Sequence, residues 1–321
     1  VPAHFVCNVW PLVTDCEPAI DRATHFCQNV FSIGKNVVNL QFKDMENKDN
    51  ITIRHPEAWE LLVGIDGKRL DYILFTPSVE NSLITGGMTV ASSPDAPLQA
   101  LEDTVYDTPL LLDEYKRVSV VVHSDHFVWL PGQVSVDDAV PLLRAAYPDD
   151  DGDVCVNHLP LNGVTLASLL PHGLKAFVDR TFNFPVIYHH LYALCEHFHG
   201  LNHGSTLSRV FLNLNADSMD MVIYHHGDFL CANSYRFTNA DDAAYYALNA
   251  WRANELDQLT DELQLTGDRD MRAAMTPLLR QYVKYVMPAI YPAAAMRLGH
   301  NALQAPLILI LQALQITSCA S

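Results

Sequence analysis

The sequence predicts an α/β protein of two related lobes with mixed β-sheets. Two observations carry this. Two separate segments run through the same order of elements: a hairpin or meander, then a helix, then a strand. The stretch between them alternates strands and helices. Hairpins require antiparallel pairing and strand–helix units favour parallel pairing, so a chain holding both builds mixed sheets.

The first segment opens with an apolar strand over residues 60–64, turns at Asp66-Gly67 and returns over residues 70–75. Asp-Gly between apolar runs supplies the positive φ that a tight hairpin needs. A helix is expected next, with Ser93 before it, Pro94 in its first turn and Leu98, Leu101 and Val105 on one face. The strand Arg117–Val122 follows and is expected to pair with residues 127–130. The middle of the chain predicts a helix over 138–147, strands over 154–158 and 164–169, a helix over 174–181 and a strand–helix over 186–199. Residues 180–208 are the expected crossing between lobes.

The second segment repeats the order. Strands are expected over 209–214, 219–224 and 229–237, the last two joined by a turn at His226-Gly227-Asp228. A helix follows, with Thr238 as cap, Asp241 and Asp242 in its first turn, and Ala244, Ala247, Leu248 and Trp251 as its buried stripe. A strand over 262–266 completes the repeat. The lobes are therefore set at 45–205 and 206–321.

Composition narrows the function classes. Of 321 residues, 49% are hydrophobic, enough for a sizeable core, and the formal net charge is −17 with no basic patch to reverse it. That balance disfavours nucleic acid and anionic lipid as partners. The longest apolar run, over residues 305–314, is broken by Pro306 and Gln312 and falls short of the ~20 residues that span a bilayer, so no membrane insertion is expected. Seven cysteines without a Cys-x-x-Cys point to reduced thiols and a cytoplasmic setting. The first methionine is Met45, and residues 1–44 carry three of the seven cysteines with little period. They are expected to be upstream sequence that adds little to the core.

Three stretches carry a resemblance: 110–122 (LLLDEYKRVSVVV), 233–249 (NSYRFTNADDAAYYALN) and 282–290 (YVKYVMPAI). They resemble the bacterial domain-of-unknown-function family 3822, over roughly residues 51–314. That family is described with an actin-like ATPase fold, so the resemblance implies two ribonuclease-H-like lobes around a cleft, and no known activity. More distantly, residues 209–240 resemble the second lobe of the pilus-assembly and cell-division branch of the actin-like ATPase superfamily. In that branch a strand ends in Asp-x-Gly and the following loop holds a nucleotide phosphate. The matching positions here are Asn213-Leu214-Asn215, then Ala216, Asp217, Ser218, Met219 and Asp220.

The chemistry of such a loop is specific. The Asp holds a hard cation's oxygen shell, and the Gly admits backbone N–H groups to the phosphate. Asn213 lacks the charge, which only Asp217 or Asp220 can replace, and Asn215 adds a side chain. A polar hairpin turn explains the loop equally well. In the first lobe, Gly64-Ile65-Asp66-Gly67-Lys68-Arg69 is short for a phosphate loop and fits a hairpin. On the adenine side the branch has paired glycines; here Gly267 stands alone before Asp268, which also suits a strand-to-helix turn with a cap. The candidate degenerate nucleotide cleft thus comprises Asn213, Asn215, Asp217, Ser218, Asp220, Gly267 and Asp268. No cofactor is expected; ATP with Mg²⁺ would bind weakly.

Histidines crowd one region: His189, His190, His197, His199 and His203, beside Cys195 and Glu196. Glu196, His199 and His203 share a helical face at i, i+3 and i+7, which suits a metal. Gly200 is expected to end the helix before His203, so the preferred reading is a solvated helix end and no metal. His225 and His226 beside their turn are expected to be exposed. No Gly-x-Ser-x-Gly, Walker loop or His-Glu-x-x-His occurs. The first functional reading is a non-catalytic scaffold or assembly protein with a protein partner or a second copy. The alternative is a divergent ATP-binding protein. A ribonuclease-H-like nuclease is disfavoured, because Asp66 and Asp71 are poorly placed and the charge opposes DNA.

Overall fold

The computed structural model describes residues 53–91 and 96–319. The expectation for residues 1–44 falls outside them, as does the helix start at Ser93-Pro94. The fold lies within the unit Arg54–Ser321. Its first part runs β1 (Glu60–Ile65), β2 (Arg69–Phe75), β3 (Ile84–Thr89), α1 (Pro97–Tyr106) and β4 (Arg117–Val122). Next come β5 (Phe127–Pro131), α2 (Val136–Ala146), β6 (Asp153–Leu159), β7 (Val164–Leu170) and α3 (Leu174–Thr181). Then β8 (Val186–His189) leads straight into α4 (His190–Asn202). The rest runs β9 (Arg209–Leu214), β10 (Ser218–His225), β11 (Asp228–Arg236), α5 (Ala240–Ala253), β12 (Glu262–Gly267), α6 (Arg269–Leu279) and β13 (Tyr285–Pro288). It ends with α7 (Ala295–Leu298) and α8 (Leu307–Cys319).

Two five-stranded sheets share one topology, β3-β2-β1-β4-β8 and β11-β10-β9-β12-β13. In each, a three-stranded antiparallel meander continues into two parallel strands. The mixed sheets are those expected, and the repeat is one of pairing as well as element order. The strands β1 (ELLVGI) and β9 (RVFLNL) sit at the centre and are buried on both faces almost throughout. Apolar runs without alternation produce that result.

Several expectations need correction. The strand over 127–130 does not pair with β4. It pairs with β7 in a separate three-stranded sheet, β5-β7-β6, because β4 is already flanked by β1 and β8. The cap of α5 is Asn239, whose side chain accepts from the Asp242 N–H, rather than Thr238. Helix α4 runs through Gly200 to Asn202. Strand β3 carries Gly86-Gly87 in its middle, which weakens any strand signal.

The chain after β13 returns to the first sheet. Leu309, Ile310, Ala313 and Ile316 of α8 pack with Leu62, Ile73, Phe75 and Val121. Gly64 makes room for this helix, since a Cβ there would lie 3.2 Å from Leu309 Cδ2. On the other side, Leu311 joins Leu191, Leu194 and Phe198 of α4 against the second sheet. The ring of Phe198 stacks on Phe211 of β9 at 4.0 Å. Helices α4 and α8 therefore fill the space between the two five-stranded sheets.

On the far face of the second sheet, Ala243, Ala244, Ala247 and Trp251 of α5 pack with Leu212, Met221 and Ile223. Leu248 packs at the margin of the same cluster. Trp251 is 2% exposed. Trp251→Ala is expected to cost about 3–5 kcal/mol in chemical unfolding, the range of aromatic truncations in cores. A cost below about 1 kcal/mol would contradict this packing.

Candidate functional site

The C-terminal ends of the central strands of both sheets meet in one place, and the hairpin turns mark its rim. In the β1–β2 turn, Asp66 Oδ1 accepts the backbone N–H groups of Lys68 at 2.9 Å and Arg69 at 2.7 Å. This fixes Lys68, whose Nζ reaches Asp217 Oδ2 in the β9–β10 turn at 2.6 Å. A second ion pair, Arg236 Nε to Asp125 Oδ2 at 3.1 Å, joins the end of β11 to the loop after β4. The two turns of the repeat are thus bridged directly.

The β9–β10 turn satisfies itself. The Asn215 N–H bonds the Ser218 carbonyl at 2.8 Å, and Asn215 Nδ2 bonds Ser218 Oγ at 3.1 Å. At the neighbouring strand end, Gly267 has φ +85°, and a Cβ there would lie 2.1 Å from the Leu214 carbonyl oxygen. The Asp268 N–H bonds that same carbonyl at 2.7 Å, and Asp268 Oδ1 caps α6 through the Met271 N–H at 2.8 Å. The glycine is required by the backbone of β9.

Beneath the turns lies a buried polar cluster. Asp220, in β10, is 1% exposed. Its Oδ2 accepts from Asn213 Nδ2 at 3.0 Å and its Oδ1 accepts from Ser234 Oγ at 2.8 Å. His190 Nε2 lies 2.7 Å from Ser234 Oγ and 3.2 Å from Asp220 Oδ1. The His123 ring, just past β4, stacks on His190 at 3.9 Å, and His123 Nε2 lies 3.1 Å from Asp125 Oδ1. Burial pushes the Asp220 carboxyl up, but His190 beside it, then His123 and the Asn213 amide, bring it down to about 2. Burial lowers His123 below the usual imidazole range, and His189 well below it, with His190 adding to both.

The junction of β8 and α4 positions these imidazoles. Asn157 of β6 behaves like one more residue of a neighbouring strand: Nδ2 donates to the Ile187 carbonyl at 3.0 Å and Oδ1 accepts the His189 N–H at 2.7 Å. His189 Nδ1 accepts the Leu191 N–H at 3.3 Å, and its Nε2 lies 3.0 Å from the Ser124 carbonyl. His189 is therefore the cap, which leaves His190 as the first helical residue turned to Asp220.

The seven candidate residues gather along the ends of β9, β10 and β12, but they do not fit Mg-nucleotide. Asn213 and Asp220 are spent on each other, Asp217 on Lys68, and Asn215 and Ser218 on their own turn. At Gly267 the following N–H, that of Asp268, is taken by the Leu214 carbonyl. Beyond Asn213 and Asp220 stand the imidazoles of His190 and His123. Glu196, His199 and His203 do not converge: Glu196 accepts from Asn162 Nδ2 at 2.9 Å, and the His199 and His203 rings are 5.7 Å apart. His225 and His226 are exposed, as expected. Sequence reasoning missed His123 and counted His190 only among the crowded histidines; the His-His doublet just ahead of an apolar helical run was the available signal.

A family model described as "Protein of unknown function (DUF3822)" matches residues 48–286. No curated protein matches the sequence. Among solved structures, a Bacteroides thetaiotaomicron VPI-5482 protein with an actin-like ATPase fold and unknown function is similar, with TM-score 0.65 and 19% identity. The alignment covers 78% of this chain and 96% of that one. The PilM–PilN type IV pilus biogenesis complex is similar at TM-score 0.50 and 13% identity, over 80% of this chain and 97% of that one.

Two substitutions test the frame. Asn157→Ala leaves the His189 N–H without its partner and the Ile187 carbonyl with only the weak Cys155 thiol donor at 3.6 Å, and is expected to cost about 1–3 kcal/mol by denaturant titration. Gly267→Ala forces positive φ and a clash with β9, and is expected to cost more than about 2 kcal/mol. A neutral result at either position would contradict the geometry.

Proposed function

Because the chain belongs to the domain-of-unknown-function family 3822 and carries an actin-like ATPase fold, we propose that it is a non-catalytic frame on which a protein partner or a second copy assembles. The observation that carries this reading is the direct bridging of the two hairpin turns, with Lys68 on Asp217 and the Asp220 carboxylate taken up by Asn213, Ser234 and His190. A phosphate site needs free N–H groups and its hard cation needs a shell of oxygens, whereas Asp220 Oδ1 faces an imidazole. Support for a protein partner comes from the PilM–PilN complex, which shares the fold. The free thiols of Cys155, Cys195 and Cys231 support a reducing, cytoplasmic setting. No helix among the described residues is long and apolar enough to cross a membrane. For the lobes, we propose a boundary near residue 205, with the chain from α7 onward rejoining the first lobe.

Calorimetric titration with Mg-ATP tests the reading. If loss of the charge and of the close approach each cost about 2 kcal/mol, micromolar binding becomes millimolar. We expect no saturable binding below roughly 1 mM and no phosphate release above buffer. Asn213→Asp with Asn215→Gly restores the superfamily pattern in sequence. Here the first change replaces a donor by a carboxylate beside buried Asp220, so the variant is expected to melt lower and gain no affinity. Tight binding by the unmodified chain, or by this variant, would put the ATP-binding alternative in the lead.

A further inference from the structure

We propose that His123, His190 and Asp220 bind a single first-row divalent cation of the zinc type, in a site that ties together β4, α4 and β10. One ligand atom from each residue lies within 4.8 Å of the other two. His190 Nε2 and Asp220 Oδ1 are 3.2 Å apart. Two ligands on a tetrahedral ion with bonds of ~2.0–2.1 Å stand about 3.3 Å apart, so this pair needs little movement. Two imidazoles and one carboxylate match the donor preference of zinc and its neighbours, whereas Mg²⁺ and Ca²⁺ favour oxygen shells.

The His123 and His190 rings stack at 3.9 Å with 24° between their planes, so the His123 ring must turn for both lone pairs to reach one ion. Asp125 Oδ1 engages His123 Nε2 at 3.1 Å, which leaves Nδ1 as the nitrogen with a lone pair to give. Asn213 holds Asp220 Oδ2, so Oδ1 is the oxygen presented to His190. Ser234 Oγ stands 2.7 Å from His190 Nε2 and 2.8 Å from Asp220 Oδ1, at a position where a hydroxyl or a water completes a fourth site. His190 Nδ1 is buried with no hydrogen-bond partner, so the polar contacts of the ring all run through Nε2, the nitrogen that faces Asp220 and Ser234. His189 is excluded as a ligand, because both of its nitrogens already face backbone partners.

The test uses the full chain, stripped with a chelator and titrated with Co²⁺ while visible absorption is followed, then with Zn²⁺ in competition. We expect one equivalent of Co²⁺ with the intense absorption of tetrahedral coordination, displaced by Zn²⁺, and a higher melting temperature with Zn²⁺. His190→Gln and Asp220→Asn are expected to abolish the signal. Asp125→Ala removes a half-exposed group behind His123 together with its surface ion pair to Arg236, and is expected to weaken binding about 10–100-fold while the fold stays intact, with Arg236→Ala, which removes the ion pair alone, leaving binding unchanged. It decides the matter even if the buried variants fail to fold. His199→Gln with His203→Gln serves as the control and should change nothing. An octahedral or non-saturating Co²⁺ signal, unchanged binding in Asp125→Ala, or loss of binding in the control would overturn the site. No nucleotide enters the assay, so its outcome stands apart from that of the ATP titration.

Discussion

The structure turns on a single carboxylate with nowhere to go. Asp220 sits in the middle strand of the second sheet at 1% exposure. An ionised carboxyl cannot be taken out of water unless it is paired and hydrogen-bonded. Its partners come from β9, β11 and the start of α4, and His123 stacks behind them from the end of β4. The two five-stranded sheets and the helix between them are thereby held to one arrangement, since displacing any of them strands the charge. The β8–α4 junction matters for the same reason: Asn157 fixes the backbone from which His190 projects.

The visible ion pairs across the cleft carry less weight. Lys68 and Asp217 are 72% and 54% exposed, and Arg236 and Asp125 are each 50% exposed. Pairs in such surroundings contribute at most about 1 kcal/mol, and salt weakens them. They tie the turns at the surface, while the buried cluster below supplies the rigidity.

Much of the fold was legible because its strongest signals are local. The Asp66-Gly67 hairpin, the apolar strands at 209–214 and 219–224 and the Trp251 stripe depend on turn chemistry and period, and each appears where expected. What escaped is set by distant partners. The pairing of β5 with β7 is decided by the occupied flanks of β4, and β3 is held by β2 despite Gly86-Gly87. The loop residues of the candidate site could be found by resemblance. His123, His190 and Asp220 could not be grouped, since they come from three elements that only the folded chain brings together. The spacing of Glu196, His199 and His203 drew attention instead, but a shared helical face does not by itself bring ligands to a point.

The return of the C-terminal segment bears on how the protein emerges during synthesis. Asn301 Nδ2 bonds the Leu83 carbonyl across 218 residues, and Leu309 covers Gly64. Leu62, Ile73 and Phe75 therefore stay uncovered until α8 has been made. Contacts of such separation form slowly and leave apolar surface open in the meantime. The second sheet, whose strands are contiguous in sequence, depends less on such distant contacts than the first.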